Sequence, residues 1–250
     1  MAHPQRGQSL SVTIDDLAFG GEGVGRADGY VVFVRGGIPG DRLRVRLDQA
    51  RSRFGRGTIE AIEVPSPHRV EAPCPYFGRC GGCRLQHVDY QAQLAFKSKQ
   101  VVDALERIGG LGSVEVRSIL AAEATYGYRN KMEFTVARAR GRLGLTVGLH
   151  EAERYDSVLD VERCLLQSDR MNAQLGEARR FVAESGLSAW DQDSGEGLLR
   201  FLMLREGYRT GETMVNIVTS SPAVSELAPL ADRLGALVPR TTSVVMNVNP

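Results

Sequence analysis

The chain has 250 residues, 42% of them hydrophobic, enough for one large core or two modest ones, and no apolar run approaches the length of a membrane span. Its 31 basic and 30 acidic residues leave a net charge of +1, so global charge announces no nucleic-acid partner and any such signal must be local. The opening MAHPQRGQSL has neither an apolar h-region nor a cleavage site, which points to a cytoplasmic chain with no membrane partner.

In chain order, LSVTIDDLAFGGEGVGR, YVVFVRGGIPGDRLRVRL and GRGTIEAIEVPSPHR are short β-rich runs split by Gly, Pro and Asp turns, the pattern of a small β-barrel over residues 8–65. The stretch GGEGVGR does not complete G-x-G-x-x-G and is followed by a turn and the strand-like YVVFV, so its glycines are assigned to sharp barrel turns rather than to a dinucleotide loop. Between Asp41 and Gly57 stand Arg42, Arg44, Arg46, Arg51, Arg53 and Arg56 against Asp48. Arg42, Arg44 and Arg46 alternate with Leu43, Val45 and Leu47, which at strand period makes one face a basic stripe and the other a core face. A solvated strand face accounts for such a stripe as well as a phosphate-tracking surface does, and Phe54 beside it favours the latter as a stacking platform.

All four cysteines follow one pattern. CPYFGRCGGC places Cys74, Cys80 and Cys83 in a loop rich in Gly and Pro, and Cys164 lies far downstream. Three thiolates from a bent loop with a fourth from a distant segment read as a closed ligand set for a 4Fe-4S cluster. Zinc accepts the same four thiolates, but its ribbons usually present two CxxC knuckles and only one is present here. Disulfides would require an oxidising compartment. His68, His87 and His150 complete no better spacing and are assigned to packing or surface.

The run VDYQAQLAFKSKQVVDALERIGG places Leu94, Val101, Val102, Leu105 and Ile108 near one helical face and ends at Gly109 and Gly110. RNKMEFTVARA and GLTVGLHE read as a hairpin turning around residues 140–144. Arg129 and Lys131 would share one strand face there, a geometry suited to gripping phosphate. A helix over 168–185, a strand pair in RFLMLREGY and ETMVNIVTS, a helix in SELAPLADRLGAL and a last strand in TSVVMNVN complete an open mixed sheet. The fold class is therefore α+β, with an N-terminal barrel over 1–66, a cysteine loop over 67–92 and an α/β central domain over 93–250 that supplies Cys164.

GEGVGRADGYVVFVRGGIPGDRLRVRL resembles a TRAM domain, an RNA-binding OB-type barrel. CPYFGRCGGCRLQH resembles the cluster loop of TRAM-bearing RNA uracil-5 methyltransferases, and YGYRNKMEF, GLHEAERYDSVLDVERCLLQ and TTSVVMNVNP resemble their central domain, with Cys164 at the fourth ligand. RNA is expected to be bound through Arg42, Arg44, Arg46, Arg51, Arg53, Phe54 and Arg56 of the stripe, and the resemblance implies further RNA contact at Arg129 and Lys131; the chain is expected to be a monomer. It favours 23S ribosomal RNA, because TRAM and the four-cysteine cluster occur together in that branch, whereas the transfer-RNA branch typically lacks both. Such an enzyme needs a thiolate to attack C6 of uracil, a base to remove the C5 proton and a glycine-bearing turn for S-adenosylmethionine. None is legible in the 250 residues, so no catalytic residue is assigned, and the chain is expected to stop at Pro250 where relatives continue into a catalytic domain and not to methylate alone. A stand-alone RNA-binding adaptor with a cluster or zinc, and a redox-sensing iron–sulfur protein, are the other classes this composition admits.

Overall fold

Five strands, β1 (Ser9–Leu17), β2 (Glu22–Ala27), β3 (Tyr30–Arg35), β4 (Arg42–Ala50) and β5 (Phe54–Val64), close into a barrel in the order β1-β2-β3-β5-β4. The computed structural model describes residues 4–112, 114–139, 141 and 143–250. They divide into two compact units, Met1–Gly78 with Cys83–Ala121, and Arg79–Gly82 with Ala122–Pro250.

The barrel closes because its strands alternate. Leu43, Val45 and Leu47 of β4 are fully buried and pack with Val12, Ile14, Tyr30, Val32 and Val34, while the arginines between them are exposed. Gly57 is a packing glycine, not a turn glycine: a Cβ there would lie 2.5 Å from both the Arg46 carbonyl oxygen and Val45 Cγ1. Gly25 likewise sits inside β2 with the Thr13 carbonyl against it, so the glycines assigned to turns serve in part to let strands approach.

A buried carboxylate braces the barrel's lower end. Asp41 is completely buried and accepts hydrogen bonds from the Ile38 and Ser66 N–H groups, both at 2.9 Å, from Arg69 Nε at 3.0 Å and from Arg69 Nη2 at 2.5 Å. Burial alone would raise its carboxyl, but the Arg69 and backbone donors outweigh it and hold the group below its ordinary 3.8. Arg69 Nη2 also donates to the Gly36 carbonyl, and His87 Nε2 meets the same oxygen at 3.0 Å. Since a carbonyl only accepts, Nε2 carries the proton. Burial, with the Arg69 charge beside it, holds His87 below its usual range and hence neutral.

Helix α1 (Tyr90–Asp103) starts on Asp89, whose side chain accepts from the Gln91 and Ala92 N–H groups, and continues into a π-helical turn, Ala104–Ile108. The apolar face expected from Leu94 to Ile108 is realised only at its start. Leu94 and Ala92 are buried, but Val101 is 49% and Ile108 88% exposed.

In the second unit, β6 (Lys131–Arg138), β7 (Leu145–Glu151), β8 (Arg154–Asp160), β9 (Leu199–Glu206), β10 (Thr213–Thr219) and β11 (Ser243–Val248) form a mixed sheet in the order β11-β10-β9-β6-β7-β8. Helices α2 (Asp169–Glu184) and α3 (Val224–Gly235) pack together through buried Phe181, Leu227 and Leu230 over buried Val136, Leu202 and Ile217. β6 and β7 make the expected hairpin; Arg140 and Arg142 of the expected turn lie outside the described residues. Strand β8 has no counterpart in the sequence reading, because ERYDSVLDVE mixes charges into a weak alternation. β11 runs parallel to β10, joined to it through α3.

Candidate nucleic-acid interface

The arginine stripe is real and is less positive than the count between Asp41 and Gly57 suggests. Arg42, Arg44 and Arg46 stand opposite Thr13, Ser11 and Ser9 of β1, with β5 on their other side. β5 contributes carboxylates that the linear count leaves out: Arg42 Nε lies 3.4 Å from Glu63, which also accepts from Ser11 Oγ at 3.3 Å, and Ser9 Oγ donates to Glu60 at 2.8 Å. Arg56 Nε is 3.2 Å from Glu22. Of the arginines between Asp41 and Gly57, Arg44 and Arg46 on β4 and Arg51 and Arg53 at the β4–β5 turn have no carboxylate partner among the described residues, and all four are exposed. Tyr30 fixes that turn: its hydroxyl donates to the Arg51 carbonyl at 2.8 Å and accepts from the Arg51 N–H at 3.2 Å.

Phe54 is no bare platform. It is half-buried and meets Phe33 edge to face at 5.7 Å, and the Arg56 guanidinium lies over both rings, at 5.4 Å from Phe33 and 5.8 Å from Phe54. The surface presented there is a guanidinium held by two aromatic rings and Glu22.

None of the four cysteines is in a disulfide. Cys74 and Cys83 belong to the first unit; Cys80 and Cys164 belong to the second. Cys80 pairs with Glu151 at the end of β7, and its sulfur accepts from the Gly82 N–H at 3.4 Å. Cys164 is buried and held at both backbone groups by Asn172 of α2, whose Oδ1 accepts from the Cys164 N–H at 2.9 Å and whose Nδ2 donates to its carbonyl at 3.0 Å. As donors, four thiols with one so clamped suit a soft metal centre. Among the described residues there is no group of three or more His, Cys, Asp or Glu side chains that could hold a metal ion.

The expected pairing of Arg129 and Lys131 on one strand face is not found. β6 begins only at Lys131, and Arg129 is drawn to the segment after Cys164, its N–H donating to the Leu166 carbonyl at 2.8 Å and its guanidinium reaching Met132 Sδ at 3.7 Å. Met132 points to the buried face, opposite Lys131. Lys131 is exposed, 3.9 Å from Glu133, and opposes Arg205 on β9. Arg205 went unnoticed in the sequence because in RFLMLREGY it and Arg200 only bracket an apolar run, and only strand register brings it to Lys131.

Residues 4–59 match the TRAM domain. An uncharacterised RNA methyltransferase of Halalkalibacterium halodurans is 37% identical over 241 residues, 96% of this chain and 52% of that protein. One of Gloeobacter violaceus is 38% identical over 92% of this chain and 50% of its own length. The chain thus spans about half the length of the curated relatives it matches. The crystal structure of Pyrococcus abyssi tRNA (uracil-54, C5)-methyltransferase in complex with S-adenosyl-L-homocysteine is similar with a TM-score of 0.64 and 27% identity, covering 88% of this chain and 48% of that one. No helix among the described residues is long and apolar enough to cross a membrane.

Proposed function

We propose that these 250 residues supply RNA recognition to an S-adenosylmethionine-dependent RNA methyltransferase acting at C5 of uracil. The observation that carries this reading is the closed TRAM barrel with Arg44, Arg46, Arg51 and Arg53 exposed and unneutralised, in a chain similar over most of its length to a uracil-5 methyltransferase. Sequence-independent contacts to phosphates need such unpaired cations on a rigid face, and a strand fixed by core packing supplies them. No residue of the chain is assigned to methyl transfer. S-adenosylmethionine enters as the methyl donor of the complete reaction.

Large-subunit (23S) ribosomal RNA is the proposed target. The likeness to a tRNA enzyme supports a second reading in which the barrel receives transfer RNA. Cys74, Cys80, Cys83 and Cys164 are proposed to hold a 4Fe-4S cluster that is structural, with Asn172 positioning Cys164.

Fluorescence anisotropy of the chain with fragments of 23S ribosomal RNA and with transfer RNA tests the reading, alongside calorimetry with S-adenosylmethionine. Tighter binding to the ribosomal fragments and a flat calorimetric trace are expected. Preference for transfer RNA selects the second reading, and absence of binding to either RNA refutes both. Elemental analysis of anaerobically prepared protein should give about four irons per chain; one zinc per chain, with iron supplied in plenty, contradicts the cluster.

A further inference from the structure

On the side where β6, β10 and β11 begin and β9 finishes, the second unit's sheet ends in an open cleft of about 760 Å3. Lys131, Arg205, Met214 and Ser243 stand in one row across these four strands, each opposite the next. Lys131 and Arg205 are therefore like charges directly opposed on neighbouring strands, an unfavourable arrangement unless an anion lies between them. Lys131 has only Glu133 at 3.9 Å, and among the described residues Arg205 has no carboxylate partner. Glu206 and Glu212 face the same cleft, so it is not a plain cationic trough.

The β9–β10 turn, whose Gly207, Thr210 and Glu212 line the cleft, carries an aromatic ring that no core requires. Tyr208, 93% exposed, rides on the turn between β9 and β10. That turn is closed by backbone bonds, Gly207 N–H to the Glu212 carbonyl at 2.9 Å and Gly211 N–H to the Gly207 carbonyl at 2.8 Å, and is pinned from α2 by Arg170, which donates to the Gly211 carbonyl. The cleft's floor is equally fixed. Thr213 is buried, its Oγ1 accepting from Gln174 Nε2 at 2.9 Å, and its N–H donates to Thr242 Oγ1 at 3.0 Å.

We propose that this cleft takes one unstacked nucleotide of single-stranded RNA, with the base on Tyr208, the phosphate on Lys131 and Arg205, and Glu206 or Glu212 accepting from base N–H or ribose hydroxyl groups. Phosphate alone would leave the two carboxylates opposed to the ligand, whereas a nucleotide brings both an anion and hydrogen-bond donors. RNA-binding surfaces recognise splayed bases by this combination of an aromatic face, cations and edge contacts. The site rests on the reading that the chain binds RNA and is separate from the barrel arginines.

The test measures binding of the full chain to a short single-stranded oligouridine and to a blunt RNA duplex of equal length. Tyr208→Ala should weaken oligouridine binding about tenfold and leave the duplex unaffected, whereas Tyr208→Phe keeps the affinity. Lys131→Ala with Arg205→Ala should also weaken it and lower the salt slope by about 0.7 for each lost contact. Because Tyr208 is solvent-exposed, its loss leaves the fold intact. Unchanged oligouridine affinity in both variants, while Arg44→Ala with Arg46→Ala weakens it, overturns the cleft and leaves RNA recognition by the barrel standing. Absence of RNA binding by the unaltered chain overturns both.

Discussion

Replacing Asp41 by Ala removes one carboxylate on which four donors converge, two of them backbone N–H groups of Ile38 and Ser66 and two from Arg69. Asp41 is fully buried and the Arg69 side chain only 18% exposed, so solvent does not replace what is lost. Each buried donor left unpaired costs about 1–3 kcal/mol. Breaking a buried ion pair from one side costs about 3–5 kcal/mol. Arg69 retains its bond to the Gly36 carbonyl, which places the expected loss near the lower end, about 3 kcal/mol. Asp41→Asn keeps the shape and loses the charge, and should fall between the variant and the unaltered chain. Because the folded carboxyl is held below its ordinary 3.8, its contribution is present above about pH 4 and is lost as pH falls through the folded value. Urea unfolding of the full chain, followed by hydrogen exchange at Ile38 and Ser66 amides, measures the loss at pH 7 and at pH 3. A loss under about 1 kcal/mol at pH 7, or an equal loss at both pH values, would refute the assignment of Asp41 as the brace.

Gly57→Ala should destabilise the barrel by about 1–3 kcal/mol, because the added methyl meets the Arg46 carbonyl and Val45, and the same thermal melt should show Gly112→Ala, whose Cβ meets nothing and whose φ is not positive, costing less. Asn172→Ala should lower iron per chain while leaving the barrel's exchange protection unchanged, since it frees the N–H and carbonyl of Cys164 without touching a thiol; full iron content in this variant would remove Asn172 from the positioning of that ligand.

The barrel was legible because its strands alternate strictly, so Leu43, Val45 and Leu47 declared their face before any partner was known. The mixed sheet was legible for the same reason, except at β8, where charges interrupt the alternation. What the sequence hid is cross-strand. Glu63 is 21 positions from Arg42 and neutralises it only through β4–β5 register. Asp41 and Arg69 likewise form their pair across 28 positions. Arg56 over Phe33 and Phe54 could not be foreseen from Phe54 alone, because parallel pairing of β3 with β5 brings the rings together. Nor does helical period show how much of an apolar face finds a partner: Leu94 of α1 is buried, whereas Val101, seven residues on and on the same face, is 49% exposed.

The salt dependence of RNA binding by the chain carrying Arg44→Ala and Arg46→Ala tests the central claim most directly. Both side chains are exposed on a strand whose opposite face is buried, so their removal leaves the barrel core in place. If they contact phosphates, affinity should fall for many single-stranded RNAs alike, and the log–log slope against salt should shrink by about 0.7 for each lost contact, about 1.4 in all. An affinity and slope equal to those of the unaltered chain, with circular dichroism unchanged, would contradict the account and assign the stripe to ordinary solvated surface.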